Sequence, residues 1–307
     1  MDGSHLDPRL LASLAAVPEW AGSEPAVIPI EAGRTNRNFR VEIGAESFFL
    51  RLSDRETELL GIDRTAEHQA AVAAAAAGIG PEVIAYLPDL GCLITRWVPA
   101  VPLAEGDMES EAVLADVVGV VRTIHSGPEL PSTFDAFRIV EDYRTIAVER
   151  GVEIPSAYGP ARARAADIES ALARAPLPLL PCHNDLLADN FLRGEGGTWL
   201  VDYEYAGMGD RFFDLGNLSI NNGLSEDARE RLLVRYFGEV TAQHRARLQL
   251  MRIMSDFREA MWGVVQQGLS TLDIDYVAYA DKHFERLAGT MADPRFEVWL
   301  RDVAPSA

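Results

Sequence analysis

Between residues 96 and 102, where Pro99 and Pro102 interrupt the chain, the hydrophobic pattern changes its period. Before that point apolar residues come in short runs bounded by turn signals, which favours strands. Ala26–Ile30, Phe39–Ile43 and Ser47–Arg51 are three such runs, with Gly44-Ala45 as a hairpin turn between the last two. Val83–Leu87 and Cys92–Trp97 flank a Pro88-Asp89-Leu90-Gly91 turn, and an alanine-rich helix, Thr65–Ala77, stops at Gly78. Beyond the break the period lengthens. Val113, Val117, Val120, Val121 and Ile124 recur at helical spacing within Met108–His125, and further helices are expected at Ala161–Ala175, Arg245–Gln267 and Tyr276–Leu287. The chain reads as an α+β protein in two parts: a small sheet-rich lobe, 1–97, and a larger, mainly helical lobe, 98–307. The junction of two such lobes is a favoured place for a small-molecule cleft.

Cys182-His183-Asn184-Asp185-Leu186-Leu187-Ala188-Asp189-Asn190 is followed by an apolar strand, Trp199-Leu200-Val201, that ends at Asp202. Taken singly, Asp185, Asn190 and Asp202 would be ordinary capping and turn residues. Together they meet the needs of phosphoryl transfer. One carboxylate can receive the proton of an acceptor hydroxyl, while an amide oxygen and a second carboxylate hold Mg²⁺ against nucleotide phosphates. Such hard oxygen donors suit Mg²⁺, whereas zinc prefers more nitrogen or sulfur.

Composition narrows the partners. With 28 basic against 47 acidic residues the formal charge is −19. That counts against broad affinity for nucleic acid or for an anionic membrane, and leaves room for a local positive pocket. Two cysteines make no disulfide framework and no apolar run reaches membrane-spanning length, so a cytoplasmic protein without stable membrane association is expected. Nothing in the sequence specifies an oligomeric state. Lys282 is the only lysine, so a phosphate-binding cation in the first half has to be an arginine.

The segments HNDLLADN, VDYEYAGMGDRFFDLGN, AMWGVVQQG and DIDYVAYADKHFERL follow GRTNRNFRV, FFLRL and IDRTAEHQAA in the chain. In that order they resemble the choline and ethanolamine kinase family, within the aminoglycoside-phosphotransferase-like small-molecule kinases, over residues 28–288. The resemblance implies a two-lobed protein-kinase-like fold whose small antiparallel-sheet lobe binds ATP. It makes Asp185 the catalytic base, Asn190 and Asp202 the Mg²⁺ ligands, and His183 a structural member of the catalytic loop. Gly33, Arg34, Thr35, Asn36 and Asn38 would stand in the phosphate-covering turn, whose backbone N–H groups can cradle phosphates. Arg51 stands where such folds commonly put a phosphate-binding lysine, and its forked guanidinium suits phosphate oxygens. Glu67, on the following helix, is its expected ion-pair partner. Thr95 and Trp97 lie on the strand entering the hinge, where backbone groups can meet the adenine edge. Asp214 is expected to brace the catalytic loop.

The same resemblance implies an acceptor pocket of acidic and aromatic side chains, here Glu204, Tyr205, Glu259 and Trp262. A carboxylate attracts an amine cation, and an aromatic face binds it without demanding N–H donors. Animal choline kinases usually carry a second Trp where this chain has Glu259, and two readings follow. Either Glu259 replaces an aromatic wall by charge, which favours a primary amine, or Tyr203 or Trp97 completes the cage. The implied activity is ATP-dependent phosphorylation of a small amino alcohol, choline first and ethanolamine next. The alternative acceptor is an aminoglycoside or another hydroxylated metabolite. The alternative without chemistry is a kinase-like binding protein, against which the intact Asp185, Asn190 and Asp202 count. The amphipathic DIDYVAYADKHFERL stretch asks only for a packing role.

Overall fold

Asp7 starts the first helix, α1 (Pro8–Ala15): its carboxylate accepts from the Arg9 backbone N–H, and Pro8 sits where a missing N–H costs nothing. In this computed structural model residues 7–30, 36–53 and 57–304 are described. The expected phosphate-turn residues Gly33, Arg34 and Thr35 lie outside them. Five strands follow α1 in the small lobe: β1 (Ala26–Ile30), β2 (Asn36–Ile43), β3 (Glu46–Ser53), β4 (Val83–Leu87) and β5 (Cys92–Arg96). They form one antiparallel sheet in the order β1-β2-β3-β5-β4. Gly44, at a φ of +61°, makes the tight turn between β2 and β3.

Strand alternation sorts the residues of this sheet. Val41, Phe48, Leu50, Leu52 and Ile94 point into a core shared with Leu10 and Trp20, while the intervening Phe49, Arg51, Leu93 and Thr95 face the other lobe. The one long helix here, α2 (Arg64–Ala76), is capped by Asp63, which accepts from Thr65 N and Ala66 N. Its buried face carries Ala66, Ala70, Ala71 and Ala74, so it lies close against its neighbours, and Glu67 is buried among them.

The large lobe opens with β6 (Val101–Pro102). Helices α3 (Glu111–His125), α4 (Ala136–Glu149) and α5 (Tyr158–Leu172) follow, and then β7 (Leu180–Cys182), β8 (Phe191–Gly194), β9 (Gly197–Leu200) and β10 (Gly207–Gly209). The chain ends with α6 (Arg211–Asn221), α7 (Glu226–Phe237), α8 (Ala242–Leu269), α9 (Tyr276–Met291) and α10 (Phe296–Asp302). Almost every residue of α8 from Ala246 to Gln266 is buried, because α4, α5, α6, α7, α9 and α10 all pack around it. None of the described helices is long and apolar enough to cross a membrane.

Three details differ from the sequence reading. Helices α1 and α4 carried no expectation, although both begin with an Asp cap. The Pro-bounded crossing is more than a break, since Val101 and Pro102 pair with Arg193 and Leu192 of β8. Pro102 is tolerated there because β6 is an edge strand.

Candidate active site

A cavity of about 500 Å³ separates the sheet from the helical lobe. Phe49, Arg51, Glu67, Leu93, Thr95 and Trp97 line it from the small lobe. Asp185, Asn190 and Asp202 line its floor, and Tyr205, Arg258, Glu259, Trp262 and Tyr279 its far end.

The floor is built by two short antiparallel pairs, β7 with β10 and β8 with β9. Between β7 and β8 the chain makes a tight loop with Asn184 at φ +66°, a conformation few non-glycine residues hold without support. The support is Asp214, wholly buried in the first turn of α6. Its Oδ1 accepts from Asn184 N at 2.6 Å, and its Oδ2 from His183 N and His125 Nε2, each at 2.9 Å. Burial would raise the Asp214 carboxyl, but these donors, His125 first, hold it below its ordinary value. Cys182 lies beside His125 and Asp214, yet with three N–H donors already on the carboxylate the group reads as a brace rather than a metal centre. The expected bracing by Asp214 is what the structure shows. The helix cap is the neighbouring Asp210 instead.

His183 accepts from Asp185 N at Nδ1 (3.2 Å) and faces the Val201 carbonyl with Nε2 (3.0 Å), tying the loop to the segment that carries Asp202. Asn190 Nδ2 donates to the Asp185 carbonyl at 2.8 Å. That bond fixes the amide and turns its oxygen, the acceptor end, away from the Asp185 carbonyl. Asp202 also takes a left-handed backbone, φ +66°. An amide oxygen and a carboxylate on one wall of the cleft fit Mg²⁺ by donor chemistry.

Arg51 bridges the lobes. It pairs with Glu67, and its Nη1 donates to Asp202 Oδ1 at 2.8 Å. Asp202, whose side chain is still 38% exposed, has its carboxyl raised above the ordinary value by burial and by Glu204, against the pull of Arg51 and Arg64. The Asp185 carboxyl is pushed up to about 8, by burial first; Arg258 opposes this, and Glu259 and Asp202 add to it.

A profile of the phosphotransferase enzyme family matches residues 26–250. The chain belongs to this family. Its fold is that of a small-molecule kinase. A choline/ethanolamine kinase family protein from Mesorhizobium loti is 33% identical and superposes with a TM-score of 0.82, over 95% of this chain and 97% of that one. Protein LicA of Haemophilus influenzae is 26% identical over 228 residues, 71% of this chain and 65% of that protein's length. Ethanolamine kinase 2 of Mus musculus is 24% identical, over 91% of this chain and 79% of its own.

Within this family fold the expected residues do not all sit where the sequence reading grouped them. Glu204 was grouped with the acceptor pocket. Its Oε2 instead accepts from Arg64 Nη1 at 3.0 Å and from Asn36 Nδ2 at 2.8 Å, at the start of β2. Arg64 also donates to Glu67 at 2.7 Å and to Thr57 at 2.9 Å. The Glu204 carboxyl stays below its ordinary value because Arg51 and Arg64 outweigh its burial. Trp97 lines the cavity with the Arg40 guanidinium 4.8 Å from its ring centroid, and Asn38 lines it beside Arg51. Tyr203, one candidate for completing a cage, turns its hydroxyl to the Leu200 carbonyl at 3.1 Å.

Sequence reasoning missed Arg64, Arg258 and Tyr279. Tyr279 corrects the packing-only reading of its segment, since its hydroxyl donates to Glu259 Oε2 at 2.8 Å and it lines the cavity. The signal for Arg64 was present: it lies three residues before Glu67, one helical turn away.

Proposed function

We propose that the cleft transfers the terminal phosphoryl group of ATP to the hydroxyl of a small amino alcohol of the choline and ethanolamine type, with Mg²⁺ as the metal. One observation carries the reading: Asp185 stands in a single cavity with oxygen donors on one side and an acidic, aromatic wall on the other. Relatives named as choline and ethanolamine kinases support the same acceptors.

Asp185 receives the proton of the acceptor hydroxyl as its oxygen bonds to the terminal phosphorus and the bond to the departing ADP breaks. Asn190 and Asp202 would hold Mg²⁺, which supplies charge neutralisation for the phosphates. Arg51 turns its guanidinium to phosphate oxygens while Glu67 keeps it aimed, and Asn38, on β2 beside Arg51, lines the same part of the cavity. Thr95 and Trp97 flank the adenine edge. Glu259 holds the amine in a pocket walled by Tyr205 and Trp262. Because it depends on ATP, and because Cys92 and Cys182 are free buried thiols, the protein fits the cytoplasm.

ADP release measured with Mg·ATP and a panel of choline, ethanolamine, aminoglycosides and hydroxylated metabolites tests the reading. Turnover of choline or ethanolamine well above the aminoglycosides is expected. Turnover of an aminoglycoside alone would replace the acceptor, and Mg·ATP binding without turnover of any hydroxyl would replace the chemistry.

A further inference from the structure

The acceptor end of the cavity already contains a cation. Arg258 is 2% exposed, and its guanidinium carbon lies 4.1 Å from the centroid of the Tyr205 ring. Its Nη1 donates to Glu259 Oε1 at 2.6 Å and to Asp185 Oδ1 at 3.3 Å. Its Nε and Nη2 are shielded from solvent and have no hydrogen-bond partner, which fits a plane stacked on a ring. Arg258 thus holds the seat that an ammonium group takes in an aromatic and acidic pocket: on a ring face and between two carboxylates. The other aromatic groups are engaged as well. Trp262 donates its indole N–H to the Tyr205 hydroxyl at 3.1 Å and meets Tyr276 and Tyr279 edge-on.

We propose that Arg258 is a specificity-determining residue, which makes this pocket select amines that still carry N–H groups over quaternary ammonium groups. The inference rests on the phosphotransfer reading above. A ring face covered by a guanidinium is repulsive to a second cation, so Tyr205 offers little to a trimethylammonium group. The spare recognition capacity is of the hydrogen-bonding kind. A carboxylate has about four acceptor positions, and on Glu259 one bond from Arg258 and one from Tyr279 occupy two of them. The others are useful only to a ligand that brings N–H donors. A quaternary amine brings none and would leave a desolvated carboxylate short of partners.

The test is kcat/KM at saturating Mg·ATP for ethanolamine, its N-methyl and N,N-dimethyl forms, and choline. The expected result is a modest decline over the first two methyl groups and at least a tenfold drop at the third, where the last N–H is lost. In Arg258→Met, shown to be folded by thermal unfolding, the drop should shrink to less than threefold. If that variant does not fold, Arg258→Met combined with Glu259→Met removes both buried charges together, and the drop should shrink there too. A flat or rising series in the unmodified enzyme overturns the inference alone and leaves phosphotransfer standing. A folded variant that keeps the full drop overturns it as well. If none of the four amines is phosphorylated, the phosphotransfer reading falls and takes the inference with it.

Discussion

Replacing Asp214 by Asn asks whether one buried carboxylate holds the loop that carries Asp185. Both of its oxygens are committed, one to Asn184 N and the other to His183 N and His125 Nε2. An amide keeps one of those acceptors and turns an NH₂ group toward the donors on the other side. His125 can respond by changing tautomer, but the His183 N–H cannot. An orphaned buried N–H costs about 1–3 kcal/mol, and losing the charge assistance of the remaining bonds adds roughly 1 kcal/mol more. The expected loss is therefore about 2–4 kcal/mol, which lowers Tm by about 3–6 °C for a chain of this size. The same change lets the left-handed turn at Asn184 relax, one residue before Asp185. Displacing a catalytic group by about 1 Å can cost about 100-fold, so kcat/KM should fall at least about tenfold. Thermal unfolding by circular dichroism gives the first quantity. ADP release at a temperature where the variant is fully folded gives the second. Unchanged Tm and unchanged kcat/KM would refute the reasoning, and a lower Tm with full activity would show that Asp214 stabilises the lobe without setting the loop.

Asp185→Ala should remove turnover by about 10²-fold or more while Mg·ATP binding, measured calorimetrically, stays within a few-fold; near-normal turnover would defeat the base assignment. Asp202→Ala should weaken Mg·ATP binding and turnover together, and intact binding would remove Asp202 from the metal. Arg64→Met and Glu204→Gln should each destabilise by about 1–3 kcal/mol and be clearly non-additive in the double variant; additive effects would mean that the 3.0 Å contact couples nothing. In chelator, stability should fall between about pH 5 and pH 8. Folding raises the Asp185 and Asp202 carboxyls, so the folded state binds more protons than the unfolded one over that window, with a slope of at most about 1.4 kcal/mol per pH unit for the more buried Asp185 and a smaller, solvent-screened one for Asp202. Mg·ATP should flatten the profile, and a Tm that rises with pH would reverse the sign.

Two kinds of residue were legible in the sequence. Asp185, Asn190 and Asp202 were readable because they are chain neighbours, joined by one loop and one hairpin, so their spacing nearly fixes their geometry. Arg51 and Glu67 were readable only through the family resemblance; in the structure, alternation on β3 turns Arg51 to the face opposite Leu50 and Leu52, and α2 brings Glu67 alongside. The acceptor wall was legible in residue type but not in state. Glu259 looked like an open carboxylate, and in the structure Arg258 and Tyr279 already hold both of its oxygens.

Hydrophobic periodicity and turn chemistry are local, and they were enough to specify a small sheet-rich part, a helical part and the polar loop between β7 and β8. Which charges meet is not a local property. Arg64 reaches Glu204, His125 reaches Asp214, and Arg258 covers Tyr205. Each pairing joins elements far apart in the chain at separations of a few ångströms. An ion pair, a hydrogen bond or a stacked cation changes its energy steeply over such distances. Only the packing of α2, α3, α6 and α8 around the cleft sets them, and it makes Glu204 a tether between α2 and the start of β2 and Arg258 a resident cation at the far end of the cavity.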